Sequence, residues 1–226
     1  MRSLSALALL SLLVLASSCA KKDDDRSNTS EEGSTVAIGD TVYKRYGLKQ
    51  AHIHYESSGW RRGTEDLYFT DWGRREARYT DAELLLDKGV QPEKTITVTI
   101  GSEMKRADLR AQGGVSRTDP FVDSLVKLRE VDPPATISDK VLSKLRYTQV
   151  GTGTHLGKPV TIWHEQTSGT TLHTWEGMVL KQEVKTAQHN QVVEAVSIDT
   201  VNPIPDSIFT PPPYDYPPMQ EGRPRR

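Results

Sequence analysis

The stretch Lys94-Thr95-Ile96-Thr97-Val98-Thr99-Ile100 places a branched aliphatic residue at every second position, with threonine between. Successive side chains of a β-strand point to opposite faces, so the pattern predicts a strand with Ile96, Val98 and Ile100 on one face. Shorter alternations flank it: Ala51 to Glu56 and Glu65 to Thr70 before it, then Pro159 to Gln166, Thr170 to Glu176, Met178 to Lys185 and Gln191 to Thr200 after it. Turn-forming residues separate these runs at Ser57-Ser58-Gly59, Asp71-Trp72-Gly73, Thr167-Ser168-Gly169 and His189-Asn190. This is the rhythm of an antiparallel meander, and the fold class it predicts is mainly β.

The middle of the chain changes period. Thr118-Asp119-Pro120 reads as a helix start, followed by Phe121, Val122, Leu125, Val126 and Leu128 at helical spacing. Asp132-Pro133-Pro134 stops that helix. Ser138 is placed to cap a second helix, with Val141, Leu142 and Leu145 on one stripe. A sheet with one apolar face needs a cover, and two short amphipathic helices between two sets of strands supply one.

The two ends differ from this body. Arg2 precedes an uncharged apolar run from Leu4 to Ala16, shorter than the ~20 residues that span a bilayer, so residues 1–18 read as a cleaved export signal. The small residues Ala16-Ser17-Ser18 then precede Cys19, the only cysteine of the chain. They fit an ordinary cleavage site and also resemble a bacterial lipobox, although the usual leucine three residues before the cysteine is Ala16 here. A free N-terminal thiol in an oxidising compartment is a liability, whereas a thioether to lipid consumes it, so Cys19 is assigned to lipid attachment. Lys21, Lys22, Asp23, Asp24 and Asp25 follow, a lysine-then-acid block that resembles a lipoprotein signal for export to the cell surface. Ala20 rather than aspartate follows the cysteine, so inner-membrane retention is not indicated. The expected address is therefore the outer membrane, with surface display favoured over the periplasmic face. Residues 19–40 form a polar tether, and the proline-rich residues 211–226 read as a disordered tail unable to pair into a sheet.

With these segments in order, the body resembles bacterial lipoproteins of the LolA/LolB-like fold, in a poorly characterised branch. The residues that carry the likeness are Gly63-Thr64-Glu65, Leu67-Tyr68-Phe69 and Asp71 to Ala77 in the first half. In the second half they are His173-Thr174-Trp175-Glu176-Gly177 with Leu180-Lys181, and the closing element Pro205 to Pro212. The resemblance covers roughly residues 41–212. It implies an antiparallel sheet curled into an open half-barrel over residues 41–210, with the helices on the concave side and a hollow that holds acyl chains. Leu67, Phe69, Ile96, Val98, Ile100, Met178 and Leu180 are the expected lining of that hollow; the alternative is an inner face packed as an ordinary core.

Nothing in the chain reads as catalytic machinery. There is no G-x-S-x-G elbow and no HExxH, and Cys19 is already assigned. Gly151-Thr152-Gly153 lacks the lysine-serine pair and helix of a phosphate loop, and reads as a turn. His52 and His54 share a strand face, which Glu56 extends, but two histidines alone are a weak zinc signal and a solvated outer face is favoured. Trp163 and Trp175 are placed to stack on a shared face, while Trp60 and Trp72 sit by turns. A formal net charge of −1 without a recurring basic cluster argues against nucleic acid as a partner. The expected function is non-enzymatic and without cofactor or metal: a lipid-anchored envelope protein, attached to the membrane through its N-terminus, binding a hydrophobic ligand or a lipoprotein. The alternative is a surface-displayed interaction module with a packed core.

Overall fold

The computed structural model describes residues 44–119, 142–143, 145–186 and 190–219. They form one open antiparallel sheet of 11 strands: β1 (Ala51–Gly59), β2 (Arg61–Thr70), β3 (Arg75–Leu86), β4 (Gly89–Ile100), β5 (Glu103–Asp108), β6 (Gly113–Thr118), β7 (Thr148–His155), β8 (Lys158–Glu165), β9 (Thr170–Trp175), β10 (Met178–Lys185) and β11 (Asn190–Asp199). The spatial order is β6-β5-β4-β3-β2-β1-β11-β10-β9-β8-β7. Each half of the chain is thus a meander of hairpins, and the long-range pairing of β1 with β11 joins them.

The sheet is not flat. His155 at the end of β7 meets the backbone oxygen of Ala195 in β11 at 2.8 Å. Four inter-strand spacings of about 4.8 Å would separate these strands by about 19 Å in a flat sheet. The half from β7 to β11 therefore curls strongly. Bulges at Val196 in β11 (opposite His54 and Tyr55), at Leu180 in β10 and at Val150 in β7 supply local twist.

Residues paired directly across strands share a face, so the register sorts the side chains. Ile53 faces Leu67 and Ala51 faces Phe69. These four belong to the largest buried cluster, together with Tyr46, Tyr55, Val160, Met178, Leu180 and Ala195. Ile53, Phe69 and Leu180 expose none of their surface, and burying each side chain contributes roughly 1.5–3 kcal/mol. This is the core face. On the other face of the first half, Tyr68, Ala77 and Val98 align across β2, β3 and β4. Ile204, Ile208 and Phe209 pack over them. The segment from 204 to 219 thus lies along this side as a strap.

The glycine of the Gly63-Thr64-Glu65 motif has a physical cause. Gly63 adopts φ +144, and a Cβ there would lie 2.3 Å from the backbone oxygen of Asp81 in β3. Only glycine lets β2 approach its neighbour so closely.

Several expectations need correction. Strands β3, β5, β6 and β7 are not legible in the sequence as separate strands, and Gly151-Thr152-Gly153 lies inside β7 rather than in a turn. Thr118 ends β6 rather than starting a helix, and the body of the first expected helix lies outside the described residues. Of the second, Leu142 and Ser143 are helical, and a turn follows in which Leu145 and Tyr147 donate their N–H groups to the Leu142 oxygen. Leu142 packs on Trp163 and Leu172. The proline-rich stretch also pairs over its first part: Pro218 bridges Ser116 at the β6 edge, Ser116 donates to the Pro217 oxygen, and Met219 donates to the Ser116 oxygen. Proline cannot donate, but its carbonyl can accept, and that is the bond used here.

Candidate functional site

The expected lining of the hollow divides between the two faces of the sheet. Leu67, Phe69, Met178 and Leu180 meet in the main buried cluster. Val98 belongs to the strap-side cluster, with Ile96 packed at its margin. Ile100 lies on that same side and is half exposed, at 50%. The reason is register: Leu67 pairs with Arg78, which pairs with Thr97, so the threonines of β4, not its aliphatics, continue the core face. Val98, Ile100, Glu103, Lys105 and Pro211 instead line a shallow depression of about 60 Å³ on the strap side. Pockets that hold drug-sized ligands run to about 300 Å³ and more, so this depression is no acyl site.

Where aliphatics were expected, the core face of β2–β5 carries charge. Asp119 pairs with Arg45, and Arg45 reaches Glu76 at 2.9 Å. Glu76 also accepts from the Tyr46 hydroxyl at 2.7 Å and lies 3.5 Å from Arg78. Arg78 bonds Glu65 at 2.5 Å. Glu65 lies 3.7 Å from Arg61, Arg61 bonds Glu93 at 2.9 Å, and Arg106 bonds the same carboxylate at 3.0 Å. The result is one ladder of alternating sign, Asp119–Arg45–Glu76–Arg78–Glu65–Arg61–Glu93–Arg106. Buried Thr80, Thr95 and Thr99 fill the space around it.

The electrostatics follow from this order. Burial alone would push the Glu76 carboxyl up, but the guanidinium groups of Arg45 and Arg78 and the Tyr46 hydroxyl outweigh it and hold the group below the usual carboxylate range. Burial would likewise lower the Arg45 and Arg78 values, and their carboxylate neighbours instead raise them. Burial and the adjacent Glu76 charge keep the Tyr46 hydroxyl protonated far above its ordinary range. Each carboxylate of the ladder is held by cationic partners, so the array serves to order side chains and line a polar wall.

A second polar cluster sits on the strap side. His52 and His54 both hydrogen-bond one oxygen of Asp66, at 2.8 and 2.9 Å, and His52 stacks on Tyr68 at 4.1 Å. The sequence conceals the role of Asp66 because it meets His54 only across a hairpin. Burial raises the Asp66 value, and the two imidazoles more than reverse that, leaving it lowered. Among the described residues, no group of three histidine, cysteine or acidic side chains is arranged to hold a metal ion. Trp163 pairs across to Leu172, which puts Trp175 on the opposite face, so the two rings do not stack. Cys19 and Lys21, Lys22, Asp23, Asp24 and Asp25 lie outside the described residues.

No family model matches the chain, and no curated protein matches it. Among solved structures it is similar to an uncharacterized conserved protein from Thermus thermophilus, at 11% identity and a TM-score of 0.45, covering 76% of this chain and 91% of that one. It is also similar to LprF from Mycobacterium bovis, at 12% identity and 0.33, covering 72% and 90%. A domain described as an outer membrane lipoprotein-sorting protein, from Vibrio parahaemolyticus, matches at 8% and 0.29, covering 71% and 88%. Such identities and scores assign the chain to no family.

Proposed function

We propose that this chain is a non-enzymatic protein of the bacterial cell envelope, held at the outer membrane by lipid on Cys19, whose folded domain is a binding module with a self-filled core. The observation that carries the second half of this reading is the composition of the core face. Its apolar part is occupied by Ile53, Leu67, Phe69, Met178 and Leu180, and the part spanning β2 to β5 is walled by the ion ladder. Acyl chains gain nothing from a wall of guanidinium, carboxylate and threonine groups, because desolvating those groups costs more than the chain returns. The half-barrel curvature is retained in this reading as a platform rather than as a lipid container.

The first half rests on the signal run and the lone cysteine. Two or three acyl chains, at ~0.8 kcal/mol per buried methylene, hold a protein at a membrane without a spanning helix. The charged block after Cys19 favours the cell surface over the periplasmic face, and protease shaving of intact cells reads that choice directly. The mass of the mature N-terminal peptide tests the anchor: diacylglyceryl-modified Cys19 is expected, and an unmodified cysteine ends the reading.

A second reading has one observation in its favour. Leu142 sits on Trp163 and Leu172, with Tyr147 and Val179 beside them. Displacing Leu142 there would open an aromatic and aliphatic patch to a hydrophobic ligand. Native mass spectrometry of mildly extracted protein separates the two. No bound lipid is expected; one lipid per chain would replace the self-filled module with a carrier.

A further inference from the structure

We propose that the end of the sheet where the chain enters from the tether is a docking surface for an anionic phospholipid bilayer, so that the anchored domain rests on the membrane by that end. This deepens the anchored reading and leans on it for the direction from which the chain arrives.

The entering segment, from Lys44 to Gln50, is clasped between two turns. Arg45 and Tyr46 donate their backbone N–H groups to the Trp72 oxygen, Trp72 donates to the Lys49 oxygen, and Gly47 donates to the Glu176 oxygen. The antiparallel order puts the β2–β3, β4–β5, β7–β8 and β9–β10 turns and the exit of β11 at this same end. The platform is therefore fixed relative to the segment that begins at Lys44.

Its surface chemistry is that of an interfacial belt. Trp72, held in a left-handed conformation at φ 54 and ψ 32, has the Lys44 ammonium 4.8 Å and the Lys49 ammonium 6.0 Å from its ring centre. Trp175 has the Lys158 ammonium at 4.9 Å. Tryptophan favours the headgroup level because its ring is apolar and its N–H polar, and lysine beside it meets lipid phosphate. Two aliphatic side chains extend the same end: Leu156 in the β7–β8 turn is 45% exposed, and Val201 after β11 is 84% exposed.

Charge supports the same occupant. The carboxylates here are engaged: Asp71 pairs with Arg74, Asp119 with Arg45, Glu103 with Lys105 and Asp206 with Arg75, and Asp199 accepts from Val201 and Asn202. Glu176 is the exception and folds against Gly47. Among the described residues none of the three lysines is ion-paired. The opposite end also exposes Leu86 and Val90, which flank the Asp87-Lys88-Gly89 turn, but no tryptophan–lysine pair is found there among the described residues. It lies a strand length away, about 30 Å for a strand such as β2 at about 3.3 Å per residue.

The test uses full-length protein and phosphatidylglycerol–phosphatidylcholine vesicles with brominated acyl chains, which quench tryptophan at the bilayer surface. Variants that keep one tryptophan each, at Trp72, Trp175 or Trp60, report the two ends separately. Trp72 and Trp175 are expected to be quenched and Trp60, beside Leu85 at the far end, is not. Reversing the lysines (Lys44→Glu, Lys49→Glu, Lys158→Glu) is expected to lower partition of any unacylated protein onto anionic vesicles by about tenfold or more, with no change on neutral vesicles. Quenching of Trp60 in place of Trp72, or of neither, overturns the proposal. An acylated protein with unquenched Trp72 overturns docking and leaves the anchor standing. Unacylated protein that still binds with quenched Trp72 overturns the anchor and leaves docking standing, and unacylated protein that fails to bind overturns both.

Discussion

Strands β2 to β5 have two faces held by opposite means. On the core face, alternating charges neutralise one another from Asp119 to Arg106. On the strap face, Tyr68, Ala77 and Val98 are covered by Ile204, Ile208 and Phe209, and the Tyr79 hydroxyl bonds the Ile208 oxygen at 2.7 Å. The difference is in how each face fails. Truncating an apolar side chain costs its own buried area and a cavity. A buried charge deprived of its partner costs the missing solvation as well, so the charged face is the more brittle of the two.

Glu76→Ala breaks the comparison hardest. It removes one partner each from Arg45, Arg78 and the Tyr46 hydroxyl and cuts the ladder in its most buried part. We expect a loss of about 3–5 kcal/mol, the usual result of removing one partner from a buried ion pair, read as a shift in urea midpoint. A loss under about 1 kcal/mol, the range of exposed pairs, would mean that water reaches the ladder freely. On the other face, Phe209→Ala removes a side chain only 2% exposed that lies under the Arg75 guanidinium at 4.6 Å. The expected loss is about 3 kcal/mol, at the low end for a buried phenylalanine because the strap can settle toward the sheet. Limited proteolysis should then cut the strap first, while the same treatment of Glu76→Ala should cut throughout the domain.

Acid sharpens the contrast. The folded Glu76 value is depressed, so its stabilising contribution is fully present above the unfolded value and is lost as pH falls through the folded one. The wild type should therefore lose stability steeply as pH drops below about 4.5, near the ordinary carboxylate value. Glu76→Gln should start lower and show a flatter acid limb, whereas Phe209→Ala should keep the wild-type slope. Parallel slopes for Glu76→Gln and wild type would remove Glu76 as the titrating group.

What is legible in the sequence follows the same division. Alternation exposes β1, β2, β4 and the hairpins of the second half, because one face of each is apolar and the period is two. Strand β3 hides because Glu76, Arg78 and Thr80 stand where a core strand would carry aliphatics. These residues give the strand no apolar core face to read; its polar side is buried because Arg45, Tyr46 and Glu65 come from other elements to meet it. The period of two puts Ile96, Val98 and Ile100 on one face, yet which face cannot be read from β4 alone. That assignment depends on pairing with β3 and on a strap from the far end of the chain. Asp66 between His52 and His54 is hidden for the same reason, since only the hairpin register brings it there. Strands β5 and β7 escape notice because Glu103 to Asp108 and Thr148 to His155 hold few aliphatics to mark a period.

The smallest effect tests the outermost part of the strap. Gly114 in β6 lies under the Tyr216 ring, and a Cβ there would come within 2.4 Å of it and 2.9 Å of the Arg106 backbone oxygen. Gly114→Ala should therefore lift Tyr216 and, with it, the pairing of Pro217 and Met219 to Ser116. Global stability should fall by only about 1 kcal/mol, because Phe209 and Ile208 stay seated and the strain falls at the edge of the sheet, where β6 meets β5 beside the last residue of the ladder. The local readout is sharper: amide exchange at Ser116 and Met219 should speed up while β4 and β5 amides keep their protection, since partial opening leaves the rest of a sheet intact. Exchange that speeds across β4 and β5 as well would mean that the two faces are not independent, and that the strap supports the ladder through the sheet between them.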